Sequence, residues 1–344
     1  MDEVTLSVII ISHNQKEPLR RCIDSVLRQE TSFPVEVIVS DDRSTDGTRE
    51  MLEREYAGKV IATFCNTDDC NPSFTLERAG YNRLHGLKLA RGKYLIHIDG
   101  DDFIFGTDLF QEMVDTLEAH PECTLCCQNY SLVDNDNPDA PRVPANDSPL
   151  MARGGVYSAQ EFFTKVNVLI NGCYCVRRGD NFNTENLWGG TYDDNYTTVR
   201  YVGKGKVAIL NRCDFAYVQY RHSICTSMSD EEKNLLFRVP IGMAELAPAI
   251  AGAMLTRYTP HFSILAKHVL QRKPVPEKVQ GFLHRFSNFT FRHLSDKVSP
   301  GEWLRYLAIY ILAAGMTVTG FKPRFLRKLL YRLGIGKPTP EVVI

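Results

Sequence analysis

The 344-residue chain reads as an α/β domain, a mostly parallel sheet flanked by helices, followed by a mainly helical C-terminal segment. Three observations predict this. Short, β-branched, continuously apolar runs recur, and such runs mark parallel strands buried on both faces. Stretches with helical spacing separate them, so strand and helix alternate as in a doubly wound domain. Finally, three strands end in carboxylates or small polar residues: Ser12-His13-Asn14, Asp41-Asp42 and Asp99-Gly100-Asp101-Asp102. In open α/β sheets ligands bind beyond the carboxyl ends of the strands, so the three endings predict one shared site.

The first strand, residues 6–12, is apolar throughout. Pro18 stands where a helix begins, and Leu19, Cys22, Ile23, Val26 and Leu27 follow at helical spacing. Residues 35–40 read as the second strand, 48–56 as the second helix and 60–64 as the third strand. A polar loop over 65–73, a helix through about 90 and a strand over 94–98 complete the alternation. After Asp102 the pattern predicts a helix over 109–119 and a strand over 123–130. Pro138, Pro141, Pro144 and Pro149, set among Asp and Asn, make 135–149 a surface loop. A helix over 159–166, a strand over 172–177, a helix over 192–201 and strands over 207–210 and 215–220 follow. The catalytic domain is expected to span 1–229, and 230–344 reads as a helical region broken at Pro274 and Pro276.

With 44% hydrophobic and 24% charged residues the composition is that of an ordinary globular protein, which excludes wholesale disorder and a polytopic membrane protein. A net charge of −1 gives no reason to expect a nucleic-acid partner. Met1-Asp2-Glu3-Val4 leads into a strand without a basic, then apolar, leader, so the expected setting is the reducing cytoplasm. There Cys123, Cys126, Cys127, Cys173 and Cys175, five of the ten cysteines, are expected to be buried thiols. Cys123, Cys126 and Cys127, with Cys173 and Cys175, match no four-ligand zinc spacing.

The acidic motifs carry the chemistry. Asp99 and Asp101, two apart after a buried strand, suit Mg2+ or Mn2+ shared with the oxygens of a nucleotide diphosphate. Gly100 permits a tight turn and a close approach. An isolated motif of this kind would be read as an acidic helix-capping turn; its place after a strand in the fourth βα unit favours function. In Asp41-Asp42-Arg43-Ser44-Thr45-Asp46-Gly47-Thr48, Asp46 or Thr48 suits a helix cap, whereas the Asp41-Asp42 pair suits a nucleoside base or ribose. Asp193-Asp194 opens a helix; it reads either as a helix-dipole partner or as a general base. Arg221 and His222 close the domain, either as surface residues or as a phosphate contact and a third metal ligand.

In order and spacing these motifs resemble the family 2 glycosyltransferases, inverting enzymes with the Rossmann-like GT-A fold, over roughly residues 6–229. The resemblance implies that Asp42 reads uracil with Asp41 beside it. It places Arg78 or Asn82 on the nucleotide or its phosphates and Asp102 beside the donor sugar; Ile11, Asn14, Gly100 and Arg221 are expected at the donor as well. Asp101 then acts as the direct metal ligand, Asp99 as its companion on metal and donor, and Asp194, with Asp193, as the base. The late motif departs from the usual Glu-Asp. The implied partners are a UDP-sugar donor and a polysaccharide or lipid-linked acceptor. The alternative is a nucleotidyltransferase, but Ser12-His13-Asn14-Gln15-Lys16 lacks the Gly-rich loop such enzymes need.

From Trp303 to Pro340 there is no Asp or Glu, while Arg305, Lys322, Arg324, Arg327, Lys328, Arg332 and Lys337 are basic. The apolar run 306–321 is about 24 Å long as a helix, short against a bilayer core of about 30 Å. It reads either as an interfacial anchor on the inner face of the cell membrane or as a helical hairpin packed on the catalytic domain or on a second subunit.

Overall fold

A computed structural model of the chain describes residues 3–221, apart from 71, 73–74, 138–142, 167–168, 180–193 and 204. The described residues fall within a compact unit, Met1–Ser223. The expectations for 222–344, including His222 and the basic C-terminal segment, lie outside them.

The chain begins with β1 (Leu6–Ser12), α1 (Lys16–Leu27), β2 (Val35–Asp42), α2 (Thr48–Glu55) and β3 (Ile61–Cys65). A short 3-10 turn (Thr67–Cys70) leads to α3 (Thr75–Leu87) and β4 (Tyr94–Asp99). Then come β5 (Phe103–Ile104), α4 (Leu109–Ala119), β6 (Cys123–Cys127), β7 (Tyr130–Asp134), β8 (Val143–Pro144), α5 (Pro149–Arg153) and β9 (Gly155–Ser158). The described part closes with α6 (Ala159–Lys165), β10 (Tyr174–Arg177), α7 (Asp194–Val202), β11 (Lys206–Ile209) and β12 (Phe215–Gln219).

An eight-stranded sheet runs in the order β3-β2-β1-β4-β10-β6-β11-β9. Its first four strands are parallel; β10 is antiparallel to both β4 and β6, β11 parallel to β6, and β9 antiparallel to β11. The centre is as apolar as the sequence demands: Leu6, Val8, Ile9, Ile10, Leu95, Ile96 and Ile98 are all fully buried. Each such side chain contributes roughly 1.5–3 kcal/mol by leaving water. Leu19, Cys22, Ile23 and Val26 of α1 are buried as its periodicity predicts. Pro18 lies in the first turn, where a missing N–H costs nothing.

Three features differ from the sequence reading. The stretch 123–130 is two strands rather than one, because the chain leaves the large sheet at Gln128-Asn129. There Gln128 N donates to Cys173 O and Asn129 N to Arg212 O. β7 then joins a second, four-stranded sheet, β5-β12-β7-β8. The loop 135–149 carries β8 and the start of α5, and β5 and β9 are too short to show periodicity. Cys123, Cys126, Cys127, Cys173 and Cys175 are buried in or beside β6 and β10, as expected for structural thiols.

Candidate active site

β1 lies between β2 and β4, and the chain departs from it in opposite directions across the sheet. Such a switch point opens a crevice at the carboxyl ends of the strands. The register sets what lines it: Ser12 pairs with Asp41, and Ile11 with both Ser40 and Asp99. With strands roughly 4.8 Å apart, the Asp41 and Asp99 backbones stand about 10 Å apart across β1. Side chains alternate faces, so Asp42 and Asp99 share the face that bears Ser40, and Asp41 shares the other with Ser12.

At the end of β2, Asp41 accepts from Ser44 N at 3.0 Å and from the Ser44 hydroxyl. Burial pushes the Asp41 carboxyl above its usual range, against the pull of those bonds. Asp42 is buried and accepts from Thr67 N at 3.0 Å and Thr67 Oγ1 at 2.5 Å. The β1 end is stitched to the same loop. Asn14, in the left-handed region at φ 51°, donates from its N to Ser44 Oγ and accepts at Oδ1 from Thr45 N, both at 2.7 Å. His13 Nδ1 meets Asp42 O. Asp46 accepts from Thr48 N and Oγ1 at the start of α2 and from Lys16 N at the start of α1; the cap position of α2 itself is Gly47, left-handed at φ 88°, rather than Asp46 or Thr48.

α3 lies over the face bearing Asp42 and Asp99. A Cβ on its Gly86 would stand 2.8 Å from Ile9 Cγ2 and 3.3 Å from Ser40 Cβ, so only glycine lets the helix approach this closely. Asn82 donates to Ser12 O at 3.0 Å and accepts from the Cys65 thiol. Arg78 reaches Thr67 Oγ1 at 3.2 Å and pairs with Asp68, which also pairs with Arg43. Those two guanidinium groups hold the Asp68 carboxyl below its usual range. Arg83, which the sequence reading did not single out, is buried and pairs with Asp99. Its signal was its position: Gly86 marks the sheet-facing side of α3, and counting back three and four residues gives Arg83 and Asn82.

β4 ends in the acidic loop. Gly100 N donates to Ile11 O at 2.9 Å, and a Cβ there would stand 2.6 Å from that oxygen. The glycine therefore serves a close approach, but to the β1 backbone. Asp101 is pushed up to about 6, first by burial and then by the neighbouring Asp99 carboxylate. Two crowded hard-oxygen groups of this kind fit a divalent cation, which would relieve their repulsion. Asp102 is buried and accepts from Val218 N at 2.9 Å, joining the loop to β12 of the second sheet. Arg21 donates to Asp101 O at 3.3 Å and lies over the Phe103 ring, 4.5 Å from its centroid.

Asp194 opens α7, its side chain lying outside the described part; Asp193 is likewise outside it. Arg221 is exposed and pairs with Asp136 at 2.9 Å. The structure thus gathers Ile11, Asn14, Asp41, Asp42, Arg78, Asn82, Asp99, Gly100 and Asp101 around one crevice. Asp102 faces the second sheet, and Arg221 meets the loop after β7.

Residues 7–180 match the sequence pattern of glycosyl transferase family 2. The chain belongs to glycosyl transferase family 2. This glycosyltransferase is 28% identical over 248 residues to an uncharacterized Mycobacterium tuberculosis protein, a match covering 71% of this chain and 67% of the relative. It is 28% identical over 108 residues to Escherichia coli WfaP, a UDP-Glc:alpha-D-GlcNAc-diphosphoundecaprenol beta-1,3-glucosyltransferase, covering 31% of this chain and 39% of WfaP. Among solved structures, S. aureus TarS 1-349 in complex with UDP shares the fold with a TM-score of 0.58 at 16% identity, over 97% of this chain and 93% of that one. The same protein in complex with UDP-GlcNAc gives a TM-score of 0.53 at 18% identity, over 95% and 86%. The family match puts glycosyl transfer in place of nucleotidyl transfer, and the fold is that of the GT-A neighbours. Among the described residues no helix is long and apolar enough to cross a membrane.

Proposed function

We propose that this glycosyltransferase moves a sugar from a UDP-sugar to a hydroxyl of a polysaccharide or lipid-linked glycan, with inversion at the anomeric carbon. The observation that carries the reading is the placement of Asp41-Asp42 and Asp99-Gly100-Asp101 on either side of β1 at the switch point. The UDP-Glc-dependent activity of WfaP and the UDP and UDP-GlcNAc of the TarS complexes support the choice of donor.

Asp42 lies at the base-binding end. Its carboxylate already takes the Thr67 N–H and hydroxyl, and its remaining lone pairs suit the imide N–H of uracil. Asp99 and Asp101 would hold Mg2+ or Mn2+, with Arg83 fixing Asp99. When bound, such an ion supplies charge neutralisation for the departing diphosphate. In the transfer step the acceptor oxygen forms its bond to C1 as the bond from C1 to the diphosphate oxygen breaks. The bonding pair leaves with the UDP, and Asp194 takes the acceptor's proton. Attack from the face opposite the leaving group converts an α-linked donor into a β-linked product.

Calorimetric titration with UDP-, GDP-, CMP- and dTDP-sugars, with and without Mn2+, tests the reading. UDP-sugars are expected to bind tightest and to lose affinity when the cation is chelated. Failure of every nucleotide to bind, or a preference for a purine donor, overturns it. Asp194→Asn is expected to keep donor binding and lose transfer.

A further inference from the structure

β4 also carries a buried polar contact away from the donor and acceptor groups. His97 is fully buried in β4, and its Nε2 stands 2.8 Å from the Tyr201 hydroxyl. The two rings lie nearly parallel, 8° between planes and 5.8 Å between centroids.

The two partners belong to the two halves of the proposed chemistry. His97 precedes Asp99 by two residues, so both lie on the same face of β4. Tyr201 follows Asp194 by seven residues in α7, two helical turns and roughly 10 Å on, so positions 194 and 201 share a helix face. A second bond, Thr124 Oγ1 to Val202 O at 2.8 Å, ties the same end of α7 to β6. Val199 and Val202 supply apolar contact, which resists separation but tolerates sliding. A directional bond inside an apolar layer selects one register of helix against strand.

We propose that the His97–Tyr201 contact is a positioning device: it fixes α7, the helix opened by Asp194, against β4, the strand that ends in the diphosphate site. The proposal rests on Asp194 being the base. Inverting transfer needs the proton acceptor and the leaving diphosphate on opposite sides of C1 at one fixed separation. A displacement of 1 Å can cost about a hundredfold in rate. His97 and Tyr201 touch neither donor nor acceptor in this scheme; they act through Asp194.

Tyr201→Phe removes the hydroxyl and keeps the ring, so it is the primary test. It is expected to lower kcat for transfer about tenfold, with the donor KM and the Kd for UDP within about twofold of wild type and little change in Tm. His97→Gln, which keeps a side-chain donor and acceptor, is expected to retain more kcat than His97→Leu. Tyr201→Phe combined with His97→Leu is expected to be no slower than His97→Leu alone, because both substitutions remove one contact. An unchanged kcat in Tyr201→Phe, or a fall in kcat matched by an equal loss of UDP affinity, overturns the proposal. Asp194→Asn separates the two claims. If it is inactive while Tyr201→Phe is fully active, only the positioning role falls; if it transfers at the wild-type rate, the base assignment falls and the positioning role with it.

Discussion

Asp99 and Asp101 stand two residues apart and meet opposite electrostatic conditions. Asp99 has the buried Arg83 guanidinium against it, whereas Asp101 has burial and the Asp99 charge. The usual Asp101 pKa of 3.8 rises to about 6 in the fold, so the folded protein holds that proton more tightly than the unfolded chain. Stability from this group is therefore fully present at low pH and falls as pH rises through this interval. At neutral pH the ionised carboxyl costs the fold up to about 3 kcal/mol, less where solvent screens it. Asp101→Asn is accordingly expected to raise the Tm of the cation-free protein at pH 7 while abolishing transfer. Asp99→Asn is expected to lower stability by roughly 1–3 kcal/mol, the cost of leaving the buried Arg83 guanidinium without its charged partner less the relief of the Asp101 carboxylate. Thermal unfolding of the two variants against wild type checks the pair; destabilisation by Asp101→Asn would contradict the strain argument. The acids were readable because strand ends advertise them. Arg83 was not, since nothing in a helical run of charged residues says which one turns inward until a neighbour such as Gly86 marks the face.

The acidic loop owes its place to the strand beside it. Gly100 is hydrogen-bonded to Ile11 O, and an added methyl would collide with that oxygen at 2.6 Å and press Leu19 Cδ1 at 3.1 Å. A backbone oxygen cannot swing aside, so Gly100→Ala must move the loop or α1. We expect a loss of about 1–3 kcal/mol, as for overpacking, and a larger loss of transfer than of stability, measured as kcat beside denaturant midpoints. Full activity with a native midpoint would show that the loop accommodates the methyl. The parallel strands β1, β2 and β4 were legible because burial on both faces leaves a continuous apolar run. The second sheet was not. β5 and β8 are two residues each, too short for any period, and the break at Gln128-Asn129 depends on Cys173, Arg212 and Asn146, remote residues that no local pattern announces.

Across the catalytic unit, the distribution of stability follows from the two sheets. β1 is buried along its whole length and paired on both sides, so its amides are freed only when the large sheet opens. β8 is a two-residue edge strand with Val143 65% exposed, so it is expected to open independently of the crevice. A ligand that binds only the folded crevice adds RT ln(1 + [L]/Kd), about 2.7 kcal/mol at a hundred times Kd. UDP with Mn2+ at that concentration is thus expected to slow hydrogen exchange in β1 and β4 about a hundredfold, while the Val143 amide of β8 and the adjoining Ala145 amide, which donates to Tyr130 O, stay unchanged. β12 is the informative case. Val218 N is bound by the Asp102 carboxylate, which follows the proposed metal ligand directly, so its amide should slow although its strand belongs to the second sheet. Mass-resolved exchange with and without UDP separates these outcomes. Equal slowing in β8 and β1 would mean that both sheets open as one unit. No slowing at Val218 would mean that the Asp102 bond does not transmit donor binding beyond the crevice.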